Sequence, residues 1–277
     1  MTNPFFNKLN ITFHEFTSFA RTVPDFFIIG NSFCGKTLLY NYLTQHRSIL
    51  SNLREETGFF TDHYEKGNLW YKSNFPFTFT KHLYKLIYGK IPLVGETINI
   101  PFTDKPEKIS KIVPLPKIIV ILRNPVERTY ARYHAMVRAG IETLSFEKAL
   151  STEDRWTGEK KEMKENKIYY KNNKKVSRYL SKSIYIDDLE WWTKFFPKEN
   201  MIFLKSEDLF NDTLQTVNQS LEFLGLSPLK KLITLGINYE KDVPKMNPDT
   251  KKELLEYFKP YNERLYNFVG KDLGWDS

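Results

Sequence analysis

An α/β fold, with a central parallel sheet between two layers of helices and a P-loop-type turn, is predicted by three observations. First, short apolar runs rich in β-branched and aromatic residues alternate with segments of helical periodicity. Second, Gly30-Asn31-Ser32-Phe33-Cys34-Gly35-Lys36-Thr37 joins the run at 26–29 to the helix-like segment that begins at Leu38, with the spacing G-x-x-x-x-G-K-[ST]. Third, no internal repeat or linker divides the 277 residues, so 1–277 is expected to be a single domain. Within it, 1–23 would be an N-terminal extension and 158–175 a charged exposed segment.

The elements follow in order. The run 26–29 reads as a strand, followed by a helix to about residue 46. A strand follows at 92–96 and another at 117–122, and the latter leads into a helix over 125–137 that opens on Pro125. Residues 158–175, dense in charge and Asn, break the periodicity and read as a solvated loop or loose helix near the substrate mouth. The stretch 186–196 is amphipathic, 201–204 is a strand, and 213–224 and 248–268 are helices.

Composition narrows the function. With 41% hydrophobic and 16% aromatic residues, the chain has ample material for a buried core. No stretch approaches the roughly 20 apolar residues of a membrane span, and no signal core follows Met1, so a soluble, cytoplasmic protein is expected. The lone Cys34 cannot form an internal disulfide, and no metal-ligand spacing occurs, so no metal is expected. The net charge of +8 suits an anionic ligand and is too small an excess to imply a nucleic-acid partner.

The glycine loop carries the chemistry. Glycines let the backbone turn around an oxyanion, helix-start N–H groups point at it, and Lys36 and Thr37 add a charge and a hydroxyl. A phosphorylated nucleotide is the expected ligand, with Ser32, Phe33, Cys34, Gly35, Lys36, Thr37 and Leu38 along it. The strand at 117–122 ends in Arg123, where a nucleoside-triphosphate hydrolase would usually place a magnesium-binding Asp. A guanidinium there favours a second anionic group on the nucleotide, held without metal. Arg128 and Arg132 lie four residues apart on one helix face, placed for a carboxylate partner or for substrate. Phe59, Phe60, Trp70 and Tyr71 read as core packing or as the floor of a sugar site, and His63 is the one histidine near them.

Leu122-Arg123-Asn124-Pro125-Val126-Glu127-Arg128 resembles the L-R-[ND]-P-x-x-R segment of the sulfotransferase family, closest to its carbohydrate (heparan-sulfate-type) branch and prokaryotic relatives. Glu56-Thr57-Gly58-Phe59-Phe60 is similar to that family's K-E-x-x-F-F segment. Blocks at 196–200, 206–209, 223–226, 260–266 and 274–275 continue the likeness in order. The resemblance implies 3′-phosphoadenosine-5′-phosphosulfate (PAPS) as co-substrate, with the loop on its 5′-phosphosulfate and Arg123 on its 3′-phosphate. It implies an acceptor with a free hydroxyl, a glycan or glycan-linked molecule, and Glu56 as general base. Some positions depart from the pattern. Phe33 replaces the family's loop lysine, so Lys36 is the expected cation at the leaving phosphate. Ala131 replaces a 3′-phosphate serine, Glu55 replaces the lysine before the base, and Gly95-Glu96-Thr97-Ile98-Asn99 stands for G-E-K-[ST]-P. A P-loop nucleotide kinase and a nucleotide-binding pseudoenzyme of the same fold remain alternative readings.

Overall fold

A computed structural model of the chain describes residues 13–99, 105–157, 170–171, 174–175, 179–235 and 243–276. The first half runs β1 (Phe26–Gly30), α1 (Lys36–Leu43), β2 (Ile49–Leu50), α2 (Phe59–Asp62), α3 (Gly67–Lys72), α4 (Thr78–Tyr88) and β3 (Leu93–Asn99), then α5 (Lys105–Ile112) and β4 (Lys117–Leu122). The second half runs α6 (Pro125–Arg138), α7 (Phe146–Thr157), β5 (Tyr170–Lys171), β6 (Lys174–Lys175), α8 (Ile186–Trp192), β7 (Met201–Lys205), α9 (Ser206–Asn211), α10 (Thr213–Phe223) and α11 (Pro248–Val269).

Five strands form one sheet in the order β2-β3-β1-β4-β7, and every neighbouring pair is parallel. Alternate residues point to opposite faces of a strand, so a sheet covered on both sides needs apolar residues at consecutive positions. Phe27, Ile29, Val120 and Leu122 face a layer containing Phe59, Tyr71, Trp192 and Phe258. Phe26, Ile28, Ile119 and Ile121 face the other, with Leu39, Leu43, Val217 and Leu221. That double burial is why 26–29 and 118–122 read as unbroken apolar runs. Gly30 lets β1 pass β4 closely, because a Cβ there would stand 2.4 Å from the Ile121 carbonyl oxygen.

Capping fixes the two helices that frame the later site. Asn124 accepts the Val126 N–H at 2.9 Å with Pro125 in the first turn of α6. Asn247 does the same for Asp249 with Pro248 opening α11, which closes on Gly270 in the left-handed conformation.

The order of strands and helices thus matches the expectation, with differences at the margins. The first helix stops at Leu43, short of 46, and β2 is only two residues long. Most of the charged stretch 158–175 lies outside the described residues, but Tyr170–Lys171 and Lys174–Lys175 within it pair as antiparallel strands. The described part of the N-terminal extension is packed on the body. Arg21 is buried, donates to the Phe75 carbonyl at 2.8 Å and lies 4.0 Å from the Phe77 ring centre. Among the described residues no helix is long and apolar enough to cross a membrane.

Candidate active site

The chain leaves β1 toward β2 and β3 on one side, while β4 and β7 lie on the other. The crevice beyond the carboxyl ends of β1 and β4 is therefore the point where the connections diverge, the usual ligand site of such sheets. The loop 31–35 arches over it. Phe33 and Gly35 both have left-handed backbones, with φ of 73° and 90°. That geometry costs a non-glycine residue about 1–2 kcal/mol, so surrounding bonds must hold it.

They do. Arg128 Nε donates to the Ser32 carbonyl at 3.3 Å, Arg123 Nη1 to the Phe33 carbonyl at 3.2 Å, and the Ser206 hydroxyl to the Cys34 carbonyl at 2.6 Å. The Asn31 amide donates to the Lys182 carbonyl. In a planar trans peptide the N–H points opposite to the C=O. Tying the Ser32 and Cys34 carbonyls to Arg128 and Ser206 therefore turns the Phe33 and Gly35 N–H groups away from those partners, and both residues line a cavity. The Cys34 N–H is used differently, on the Asn31 carbonyl at 3.3 Å.

A cavity of about 670 Å³ opens there, and Ser32, Phe33, Gly35, Lys36, Thr37, Glu56 and Arg123 all line it. Cys34 and Leu38 do not. Both side chains are buried in the apolar layer beneath the loop. Burial pushes the Cys34 thiol above its ordinary range, against the pull of Arg128 and Lys36.

Lys36 is buried at the first position of α1, with Nζ 3.2 Å from the Asn31 carbonyl. Burial lowers its ammonium's pKa, with Glu56 and Glu55 among the groups pulling it back. An anion entering the cavity would favour the charged ammonium and offset that effect of burial. Arg123 is also buried, and its own carbonyl is fixed by the Tyr185 hydroxyl at 2.8 Å. The neighbouring Asn124 N–H is held by Glu207 at 2.8 Å. Glu56, by contrast, is exposed on the cavity wall. Next to it, Glu55 accepts the Thr37 hydroxyl at 2.6 Å, so a carboxylate occupies the hydroxyl expected to meet phosphate.

Beneath Glu56 lies a fully buried carboxyl. Glu96 on β3 accepts the Thr57 N–H at 3.2 Å and the Tyr71 hydroxyl at 2.5 Å, and the Thr57 hydroxyl also donates to it. Burial pushes its pKa up to about 7, even though those donors favour the charged form. Glu96 thereby fixes the residue that follows Glu56.

Several expectations are corrected. Arg128 bonds to neutral oxygens rather than to a carboxylate, and it does not line the cavity. It is buried, and besides Ser32 it donates to the Tyr179 carbonyl and the Ser183 hydroxyl, bracing the loop. Arg132 lies 6.0 Å over the Phe33 ring, a cation close to the loop position where a lysine was expected. Phe59, Phe60 and Tyr71 are buried, with Phe59 and Tyr71 stacked at 4.5 Å, and half-buried Trp70 packs against them. They pack in the core and do not line the large cavity. His63 packs on Trp70 and is not part of the lining.

Arg138, Phe210, Lys245 and Lys251 also line the cavity and escaped sequence reasoning. They arrive from α6, α9, α11 and the segment before it, and only the fold brings them together.

A family model described as a sulfotransferase domain matches residues 23–264. The chain is 24% identical to the membrane-associated sulfotransferase kil1 of Dictyostelium discoideum, over 92% of its own length and 67% of that protein's. It is also 24% identical to heparan sulfate glucosamine 3-O-sulfotransferase 6 of Homo sapiens, over 92% of this chain and 74% of that protein. A solved sulfotransferase from Alicyclobacillus acidocaldarius shares the fold, with a TM-score of 0.66 at 24% identity, covering 92% of this chain and all of that one.

Proposed function

The chain belongs to the sulfotransferase family, and we propose that it moves a sulfuryl group from PAPS to a hydroxyl of a carbohydrate acceptor. One observation carries the reading. Lys36, Glu56 and Arg123 stand far apart in the sequence and line one cavity at the carboxyl ends of β1, β2 and β4. A heparan sulfate enzyme among the similar proteins supports the choice of acceptor class.

PAPS, when bound, supplies the sulfuryl group and a phosphate that accepts the departing electron pair. In this reading the Phe33 and Gly35 N–H groups and the Lys36 ammonium balance charge at that phosphate. Lys36 is already desolvated, so its charge acts at full strength rather than through water. Arg123, anchored to the Phe33 carbonyl, holds the 3′-phosphate through its guanidinium. Glu56 takes the proton from the attacking acceptor oxygen. Arg138, Lys245 and Lys251 outnumber Glu127 along the remaining lining, a positive balance that fits an acidic glycan.

Transfer of labelled sulfate from PAPS to a panel of glycans and small alcohols tests the proposal. A labelled glycan is the expected product. Binding of adenosine 3′,5′-bisphosphate with no transfer to any member of the panel would favour the pseudoenzyme instead.

A further inference from the structure

Helix α4 is turned inside out. Over Thr78–Tyr88 the buried side chain is Lys81, which meets Asp25 at 2.7 Å, with half-buried Tyr84 one turn along. The apolar residues point the other way. Phe79, Leu83, Leu86 and Ile87 fall at i, i+4, i+7 and i+8, one continuous stripe, with exposures of 71%, 44%, 82% and 61%. Tyr88 and Ile91 extend it at half exposure or more. A soluble helix normally buries such a stripe, so this face is built for something outside the fold.

Charge identifies the occupant. From residue 66 to residue 95 the sequence contains no Asp or Glu, while Lys66, Lys72, Lys81, Lys85 and Lys90 are all present. Lys85 and Lys90 are exposed beside the stripe, and Arg47 lies 5.9 Å over the Tyr88 ring. A second copy of the chain meeting this face across a two-fold axis would set these cations against themselves. The stripe is exposed along the helix, and long aliphatic and aromatic side chains flanked by lysines suit a fluid, anionic, planar surface.

We infer that α4 seats the protein on an anionic phospholipid surface, with the apolar stripe in the headgroup boundary and Lys85 and Lys90 at the phosphates. The placement leaves the cavity free. Asp25, which anchors Lys81 and accepts the Val94 N–H at 2.7 Å, lies at the amino ends of β1 and β3, whereas the cavity opens at the carboxyl ends. The docked protein would present its cavity to the aqueous side.

Co-sedimentation of the full chain with vesicles of phosphatidylcholine, alone or mixed with phosphatidylglycerol, tests this. Partition onto the mixed vesicles, reduced by salt and weak on phosphatidylcholine alone, is expected. The double variant Lys85→Gln/Lys90→Gln should weaken that partition about 30-fold, and Leu86→Ser/Ile87→Ser at least about 10-fold. Both should keep the thermal stabilisation by adenosine 3′,5′-bisphosphate, since neither pair touches the cavity. No preference for the mixed vesicles, or partition unchanged by Leu86→Ser/Ile87→Ser, would overturn the inference. So would a dimer, seen by light scattering, that the same variant dissociates while vesicles are ignored.

Discussion

Glu56 and its neighbours show how one short segment divides its work. Glu56 is exposed on the cavity wall, Thr57 is buried, and Glu96 holds Thr57 through both its N–H and its hydroxyl. In Glu56→Gln the shape is kept and the basicity lost, so nucleotide affinity should hardly change while transfer slows by roughly 10²–10⁴-fold in single-turnover assays. A variant with more than half the parent rate would remove Glu56 from that role. Glu55, bonded to Thr37 beside the expected phosphate position, sets a negative charge against an anionic ligand. Glu55→Lys should release the Thr37 hydroxyl and tighten bisphosphate binding at least about tenfold by calorimetry. Glu96 yields a pH signature. Its folded-state pKa, about 7, lies above the ordinary carboxylate range because of burial. Between that range and pH 7 the folded chain keeps a proton that the unfolded chain has released, so this group's contribution to stability falls as pH rises through the window. The denaturation midpoint of Glu96→Gln should therefore lose less than that of the parent between pH 5 and pH 8; equal losses would contradict the assignment.

At the scale of elements, legibility in the sequence followed burial geometry. β1 and, after the exposed Lys117, β4 are covered on both faces, so 26–29 and 118–122 are wholly apolar and the runs stand out. Helices α6 and α11 announce themselves through Asn-Pro caps. Helix α4 gave no readable signal of its packing, because its periodic apolar face points away from the core and its inward residue is a lysine. β2 is two residues long, too short for any period to develop. The candidate site was legible where its residues are contiguous in the chain, in the loop 30–37 and at Arg123. Arg138, Phe210 and Lys251 were not, because the sheet order alone makes them neighbours. Glu96 was visible only as a departure from a pattern, since nothing in its local sequence reports the Tyr71 hydroxyl that reaches it from α3. The close passage of β1 and β4 has its own test. In Gly30→Ala the new methyl would meet the Ile121 carbonyl, a backbone atom that cannot swing aside. A loss of about 1–3 kcal/mol in urea denaturation, with unchanged slope, is expected. Parent-like stability would mean that the strands separate at little cost.

Across the whole molecule, the sheet's divergence point, the strained loop and Arg123 come together at one cavity, where we propose that a nucleotide phosphorylated at both the 5′ and 3′ positions binds. The loop's left-handed residues are held by Arg123, Arg128 and Ser206, which reach it from β4, α6 and α9. Ligand binding should therefore stabilise the fold as a unit. At about 100 times its dissociation constant a ligand adds roughly 2.7 kcal/mol, and in a chain of this size each kcal/mol raises Tm by about 2–4 °C. The direct test is thermal unfolding in EDTA with adenosine 3′,5′-bisphosphate, with 5′-AMP, and, separately, with ATP and magnesium. The bisphosphate should raise Tm by about 5–11 °C, 5′-AMP and magnesium ATP by much less, and Arg123→Ala should erase most of the bisphosphate's advantage over 5′-AMP. Equal shifts from the bisphosphate and 5′-AMP in the parent protein, or a larger shift from magnesium ATP, would contradict the account.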